Sequence, residues 1–368
     1  MVAASVTGKA VTMFVALRDL RFARGRFILI GSVVALITVL VGFLSGLTGG
    51  LATQNVSAVL ALPADRIVFS APTAGDGAAS FSDSTITEQQ ATDWAATDDV
   101  TAAQPIGISQ TRGETDNTRA AIAVFGVEPG FSATSPSGDG ELSLSDPAAE
   151  ALDVTVGDDV EIAGVSYTVE TIDGDGWYSH TPVVQMTLHD WQAYSAATGN
   201  PDAYATVLAV KGAPDWDTAD TTNATIAETP LGSLTALSAF RSEIGSLLLM
   251  VAMLFGISGL VIGAFFTVWT MQRKSDVAVL KALGASTRSL IRDALGQALI
   301  VLLLGIGIGL GLVTLLGTLA GTALPFLLSP ITTLLPGGIM IALGLAGAAF
   351  ALRSVTSADP LTALGSNR

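Results

Sequence analysis

The stretch from Ala294 to Leu352 reads ALGQALIVLLLGIGIGLGLVTLLGTLAGTALPFLLSPITTLLPGGIMIALGLAGAAFAL and contains no charged residue. A transmembrane α-helix needs about 20 consecutive apolar residues, so this run is too long for one crossing. Three prolines, Pro325, Pro330 and Pro336, follow its midpoint, and proline interrupts helical hydrogen bonding. The sequence therefore predicts two membrane-spanning helices joined by a turn at these prolines.

Two further apolar runs precede this stretch. One covers Phe27–Gly50, and the other lies between Glu243 and Arg273. Each is long enough for one helical crossing, which makes four spans in all. The first run exceeds the apolar core of a secretory signal peptide, which has about 7–15 residues. We therefore expect it to remain as a span, and the sequence leaves open whether Met1 or Met13 is the native start.

The composition agrees with a membrane protein. Half of the 368 residues are hydrophobic, 13% are charged and the mean hydropathy is +0.58, whereas a soluble domain carries about 25% charged residues. The net charge of −15 argues against a nucleic-acid binder, which needs a basic face. The absence of cysteine excludes disulfides and cysteine-ligated metals, and two histidines make a multi-histidine metal site improbable. With no phosphate-binding loop or nucleophile elbow, we expect no catalysis by this chain alone.

Basic and acidic residues are segregated along the chain. Twelve of the 17 basic residues lie before the first span, between the second and third spans, or after the fourth. The segment from Leu51 to Phe240 has four basic residues and 27 of the 32 acidic ones. Because cytoplasmic segments are enriched in Lys and Arg, we expect both termini to be cytoplasmic, in a multi-pass protein of the bacterial plasma membrane.

The predicted fold is therefore an integral membrane protein with four transmembrane helices and a large extracellular α+β domain between helices 1 and 2. The predicted segments are a cytoplasmic amphipathic N-terminal segment (1–26), transmembrane helix 1 (27–50), the extracellular domain (51–241), transmembrane helix 2 (242–271), a cytoplasmic coupling loop (272–292), transmembrane helices 3 (293–322) and 4 (331–352), and a cytoplasmic tail (353–368).

Alternating apolar residues predict strands within the large segment. Arg66–Phe69 and Ala121–Phe125 fit half-buried strands, and residues 157–169 fit a hairpin that turns at Ala163–Gly164. Asp146–Leu152 fits a short helix with proline in its first turn. The predicted inward positions of the hairpin are Val160, Ile162, Tyr167 and Val169.

Glycines are frequent in the spans, where small residues allow helices to approach closely. The glycines expected at helix contacts are Gly42, Gly46, Gly49, Gly50, Gly256, Gly259, Gly263, Gly305, Gly307, Gly309 and Gly311.

The loop between the second and third spans is basic and partly apolar. Gln272–Leu283 fits an amphipathic helix, Gly284 suits its C-cap, and Ser286 or Thr287 suits the N-cap of the next helix. Such a segment suits docking of a cytoplasmic partner, and it equally suits an ordinary basic loop that lies on anionic lipid headgroups.

The same loop resembles a known family. RKSDVAVLKALGAS at Arg273–Ser286 is similar to R-x-x-E-I-x-x-L-K-A-L-G-A-S of FtsX/MacB-type ABC transporter permeases, with Asp276 replacing the usual Glu. Residues 358–364, ADPLTAL, resemble the closing D-P-x-x-A-L, and the layout of spans matches. The resemblance implies a homodimer with two copies of a separate ABC ATPase, which binds the ATP. It implies ATPase-coupling candidates Asp276, Lys281, Gly284 and Arg288.

Four further motifs resemble the HrtB group of haem exporter permeases within that superfamily. They are RDLRFARGRFILI (18–30), FLSGL (43–47), YSH (178–180) and AFF (264–266). The resemblance implies export of haem that has entered the membrane, which relieves haem toxicity. Haem would be the transported substrate, and the chain would hold no cofactor of its own.

The candidate haem contacts lie near the outer end of the second span. Glu243 and Met250 share a helix face two turns apart, and Met253 is three residues further. Carboxylate or thioether can ligate haem iron, and Arg241 can pair with a propionate. The resemblance places a Tyr at the position of Phe240, so a phenolate ligand is excluded there. Tyr178, from the YSH motif, completes the set.

Other interpretations remain open at this point. The methionines suit helix packing, Glu243 suits the membrane interface with Arg241 as its partner, and Tyr178 and His180 suit core or hairpin positions. The architecture also fits export of another amphiphile, such as a lipid, a lipoprotein or a hydrophobic drug. It fits a non-transporting, FtsX-like regulator of a cell-wall enzyme as well.

Overall fold

The computed structural model describes residues 24–72, 77–272, 279, 284, 286–321 and 324–356. Asp276, Lys281, most of the predicted N-terminal segment and the closing motif at 358–364 lie outside these residues. In chain order, the elements are α1 (Arg24–Leu60), β1 (Arg66–Ser70), α2 (Glu88–Ala95), β2 (Val100–Glu114), β3 (Arg119–Val127), β4 (Glu141–Leu144), α3 (Asp146–Leu152), β5 (Asp159–Ile162), β6 (Val165–Ile172), β7 (Trp177–Tyr178), β8 (Thr181–Thr187), α4 (Leu188–Ala197), β9 (Val207–Gly212), α5 (Trp216–Asn223), β10 (Thr225–Glu228), a 3₁₀ helix (Gly232–Ala236), α6 (Ser238–Gln272), α7 (Thr287–Ala320) and α8 (Pro330–Thr356).

The chain divides into two compact units. One, which we call the helical unit, comprises Met1–Gly50 and Ser246–Arg368. The other, which we call the inserted unit, comprises Leu51–Gly245. Four helices in the described part of the chain are long and apolar enough to cross a membrane, with candidate spans Phe27–Leu60, Ser238–Gln272, Thr287–Ala320 and Pro330–Leu352. These spans and the α+β character of the inserted unit confirm the predicted fold class.

Close contacts at small residues hold the helical unit together. A Cβ placed on Gly309 of α7 would lie 2.5 Å from Thr38 Cβ and 2.8 Å from the carbonyl oxygen of Ala35, both on α1. At such contacts only glycine lets the backbones approach, as predicted. At three of the predicted positions a Cβ would meet no atom of the described residues within 4 Å, so these glycines make no such contact there: Gly256, Gly307 and Gly311.

The connection between α7 and α8 packs against α1. The Phe326 ring covers Gly46 and leaves no room for a Cβ there, and Leu327 N donates to Gly46 O at 3.0 Å. Pro325 lies in this connection and Pro330 begins α8, a position where the missing N–H costs nothing. Pro336 lies inside α8, so its predicted place in the turn is wrong; the turn is already complete six residues earlier.

Strand pairing in the inserted unit forms an arm and a closed circuit. The arm runs β10–β1–β9–β2, and the circuit continues through β3, β8, β4, β6 and β5. It closes where Gly113 and Glu114 of β2 pair with Ile162 and Glu161 of β5. The β3–β8 and β4–β6 pairs are parallel. Closure leaves the circuit without a free edge at this point.

The predicted local elements of this unit are confirmed. Strand β1 covers Arg66–Phe69 and β3 covers Ala121–Phe125. Between β5 and β6, Ala163 and Gly164 have φ angles of 52° and 83°, the left-handed geometry of a tight hairpin turn. Helix α3 has proline in its first turn, as predicted. All four predicted inward side chains of the hairpin are buried: Val160, Ile162, Tyr167 and Val169.

Candidate functional site: the Asn55–His180–Glu243 cluster

Three polar side chains from distant parts of the sequence meet in the inserted unit. Asn55 comes from α1, His180 from the turn between β7 and β8, and Glu243 from α6. His180 Nε2 lies 2.8 Å from Glu243 Oε2 and 3.0 Å from Asn55 Nδ2. Asn55 Nδ2 also donates to Glu243 Oε2 at 3.0 Å. We call these residues the Asn55–His180–Glu243 cluster.

The β7–β8 turn presents His180 to its partners. Ser179 and His180 have φ angles of 46° and 63°, a left-handed conformation that is unfavourable for residues other than glycine. Backbone hydrogen bonds to α1 offset this cost: Ser179 N donates to Asn55 O at 3.0 Å, and His180 N donates to Gln54 O at 2.9 Å. The end of α1 therefore holds the turn in position.

Hydrogen-bond chemistry gives His180 Nε2 two alternative partners. If Nε2 carries a proton, it donates a hydrogen bond to Glu243; if it does not, it accepts a hydrogen bond from Asn55 Nδ2. One nitrogen cannot do both, so the location of a single proton selects the partner. Asn55 is 1% exposed, and its Oδ1 has no hydrogen-bond partner among the described residues. A buried amide with a free acceptor is unusual in a folded protein.

His180 and Glu243 remain accessible, with side-chain exposures of 33% and 42%. Imidazole nitrogen and carboxylate oxygen are both ligands that iron accepts in proteins. The cluster can therefore offer a nitrogen and an oxygen donor from one place on the surface. The sequence analysis selected Glu243 and the YSH motif but missed the contact between them and the part of Asn55. The sequence offered one signal for Asn55, because it is a polar residue near the end of the long, mostly apolar helix α1.

Tyr178 lies in the apolar core. Its ring packs edge-on against Phe81 and Phe125, with centroid distances of 5.9 and 5.5 Å. Phe240 packs against the same apolar core. Burial raises the pKa of the Tyr178 hydroxyl far above its usual value. The ring is therefore neutral, and it supports the turn that carries His180. Tyr178 therefore occupies a core position, which was one of the alternatives left open for it by the sequence.

The other predicted haem contacts lie along α6. Arg241 is exposed near the start of the helix. Met250 and Met253 belong to the helical unit and are exposed, at 51% and 61%. The Asn55–His180–Glu243 cluster belongs to the other unit, Leu51–Gly245.

The described coupling candidates lie just before and within α7. Gly284 has a φ angle of 94°, which suits a helix C-cap, although the helix it was predicted to end lies outside the described residues. Ser286 is the N-cap of α7, and its side chain accepts a hydrogen bond from Ser289 N. The sequence predicted either Ser286 or Thr287 at this position. Arg288 is exposed in the first turn of α7.

A second group of potential metal ligands lies on the surface. Asp139, His189 and Asp190 place ligand atoms within 4.8 Å of one another. Asp139 Oδ2 lies 3.0 Å from His189 Nδ1, and Asp190 accepts from Gly140 N at 2.8 Å. These hydrogen bonds account for the grouping without an ion.

Comparison with known proteins extends over the whole chain. Residues 242–360 match the family model of the FtsX-like permease C-terminal domain. The chain is 25% identical to "Putative hemin transport system permease protein HrtB" of Staphylococcus haemolyticus strain JCSC1435, covering 96% of this chain and 99% of the relative. An uncharacterized ABC transporter permease of Mycobacterium bovis is also 25% identical, with the same coverage.

The inserted unit also has a distant structural neighbour. The crystal structure of the extracellular domain of the ABC-type transporter YknZ from Gram-positive bacteria aligns with a TM-score of 0.33 and 13% identity. The alignment covers 45% of this chain and 99% of that domain, a similarity too weak to define the fold. Residues 242–360 therefore form an FtsX-like permease C-terminal domain, and over nearly its whole length the chain is similar to ABC transporter permeases.

Proposed function

We propose that this chain is the permease subunit of an ATP-driven exporter that removes haem from the bacterial plasma membrane. The contact between His180 and Glu243 carries the proposal, because it presents two iron-ligating groups at accessible positions. Full-length similarity to permeases named for hemin transport supports the choice of substrate. Haem export would protect the cell from haem toxicity.

The proposed assembly is a homodimer with two copies of an ABC ATPase subunit. ATP binds to the ATPase, and this chain contributes no nucleotide site. The Lys and Arg distribution supports cytoplasmic termini and a cytoplasmic loop at 272–292. On this topology the inserted unit is extracellular, and Asp276, Lys281, Gly284 and Arg288 face the ATPase.

Haem would enter from the outer leaflet between the first and second spans of the dimer. Glu243 and His180 are the proposed iron contacts, and Arg241 is placed to pair with a propionate. Met250 and Met253 are alternative thioether ligands further along α6, and Phe240 supplies apolar surface. Tyr178 is proposed to position the turn rather than to bind iron, because its hydroxyl is buried and neutral.

An absorption titration of hemin into the purified full-length protein in detergent tests the proposal. We expect a saturable Soret shift that is weakened at least about tenfold, or about 1.4 kcal/mol, in the double variant Glu243→Gln/His180→Ala. Glu150→Gln is the matched control, because Glu150 is an exposed carboxylate of the inserted unit. A Soret shift no larger than that of hemin in detergent without protein would contradict haem as the substrate. An unchanged affinity in the double variant would overturn the site.

A further inference from the structure

The inserted unit contains a cavity whose wall does not include Glu243. Its volume is about 380 Å³, and it lies between the end of α1 and strands β3, β4 and β8. Small-molecule sites in proteins occupy about 300–1,000 Å³. The wall is largely apolar, with contributions from Ala58, Leu62, Phe125, Val127, Phe131 and Val183.

Two polar atoms of the cavity wall have no hydrogen-bond partner among the described residues. They are Ser145 Oγ and Gln185 Oε1. Ser145 is only 6% exposed, and buried polar atoms without partners are rare because each costs free energy. The carbonyl oxygen of Gln185 can only accept, whereas the hydroxyl of Ser145 can donate or accept. A ligand that supplies hydrogen-bond donors can therefore satisfy both atoms.

Strand register places these two atoms on one face of the sheet. Ser143 of β4 is directly opposite Gln185 of β8, and Ser145 N donates to Val183 O at 3.0 Å. Because side chains alternate between faces with a period of two, Ser145 and Gln185 point to the same side. They are diagonal neighbours on that face, a separation across which long side chains still reach one another, so both polar groups are available to one ligand in the cavity.

The rim of the cavity is acidic. Asp173 and Asp175 contribute to it and are exposed. Neither carboxylate forms an ion pair in the described part of the chain. Together with the acidic excess of the inserted unit, this rim attracts cations and disfavours anions.

We propose that this cavity binds a small amphiphile with an apolar body and a protonated amine head. The apolar body lies against Phe125 and Val127, and the ammonium group donates to Gln185 Oε1 and Ser145 Oγ. The acidic rim complements the positive charge of the amine. This chemistry differs from that of haem, whose propionates are anionic, so the cavity and the cluster at Glu243 would take different ligands.

Equilibrium dialysis of 1-naphthylmethylamine against the full-length protein in lipid nanodiscs tests the proposal, with empty nanodiscs subtracted. We expect saturable binding that Ala61→Phe abolishes, because Ala61 is an exposed residue of the cavity wall. Ala196→Phe is the matched control, since Ala196 is exposed on α4 away from the cavity. Binding should fall at least about tenfold in Gln185→Leu.

Three further measurements keep the outcome unambiguous. Ser145→Ala removes a hydroxyl that makes no hydrogen bond within the described part of the chain, so it should weaken binding without affecting folding. 1-Naphthoic acid has the same ring system with an anionic head, and equal binding of this acid would overturn the amine specificity. Glu243→Gln should leave amine binding unchanged, which separates this site from the haem proposal. Absence of saturable binding, or retention of it in Ala61→Phe, would overturn the cavity as a site.

Discussion

His180 Nε2 lies 2.8 Å from Glu243 Oε2, although 63 positions separate the two residues in the sequence. Asn55 adds a third group from yet another part of the chain. The contact depends on a strained two-residue turn whose backbone is held by hydrogen bonds to α1. Strained backbone persists only where the surrounding structure supports it, and such positions often serve function.

The first prediction concerns the stability of this cluster. Asn55→Ala removes the donor to both Glu243 and His180 and leaves a small cavity. We expect a loss of about 1–3 kcal/mol in the free energy of unfolding of the inserted unit. The measurement is thermal or denaturant unfolding of the full-length protein in detergent, with exposed Asn200→Ala as the control.

A double-mutant cycle shows whether the residues act together. The losses for Asn55→Ala and His180→Ala should be non-additive, because the two side chains share one network. Additive losses, within about 0.3–0.5 kcal/mol, would contradict the coupling.

The sequence predicted those features that local pattern determines. The hairpin of β5 and β6 was predicted correctly, including its turn and its inward side chains, because alternation and turn chemistry act over a few residues. The four spans followed from apolar length alone. Glu243 was selected from its place near a span, which is also local information.

The remaining features depend on tertiary contacts. Asn55, His180 and Glu243 meet only because the ends of α1 and α6 approach the β7–β8 turn, which no spacing in the sequence encodes. The cavity at Ser145 and Gln185 depends on the register of β4 and β8. Pro336 was placed in a turn from its residue type, but it lies inside α8, where it is buried.

The second prediction is an alkaline loss of stability that is due to Tyr178. Burial raises the pKa of this hydroxyl above its ordinary value of 10.0, so the folded state favours the neutral form. The stabilisation is complete below the ordinary value and is lost as the pH rises above it, because only the unfolded chain ionises readily. Tyr178→Phe should therefore unfold at a higher pH than the unmodified chain.

Unfolding of both proteins is followed by circular dichroism between about pH 9 and pH 12. At pH 7 the two should differ by less than about 1 kcal/mol, since the ring packing is retained. Burial also raises the pKa of Tyr167 and Tyr204, so part of the alkaline loss should remain in the variant. Identical alkaline transitions would show that Tyr178 is not the buried titrating group.

The third prediction uses two glycines of one helix as a matched pair. Gly309→Ala places a methyl group against Thr38 and the carbonyl of Ala35 on α1, so we expect a loss of about 1–3 kcal/mol from overpacking. In Gly311→Ala the added methyl group meets no atom of the described residues within 4 Å, and alanine stabilises a helix by about 0.5–1 kcal/mol relative to glycine. Melting temperatures in detergent should therefore move in opposite directions.

The same pair reports on the proposed homodimer. If Gly311→Ala lowers the melting temperature while the purified protein shifts from dimer to monomer, Gly311 lies at the interface between two copies. Equal melting temperatures for Gly309→Ala and the unmodified chain would contradict the close contact between α1 and α7.

The last prediction concerns coupling to the ATPase. Arg288 is exposed in the first turn of α7, where the helix dipole disfavours a cation and favours an anion by about 0.3–1 kcal/mol. Arg288→Glu should therefore leave α7 intact or slightly stabilise it, and any functional loss arises from a changed surface charge. We expect strongly reduced hemin-stimulated ATPase activity and transport in proteoliposomes that contain the permease and its ATPase. Lys211→Glu, an exposed charge reversal in the inserted unit, should leave both activities unchanged; full transport by Arg288→Glu would exclude this residue from the docking surface.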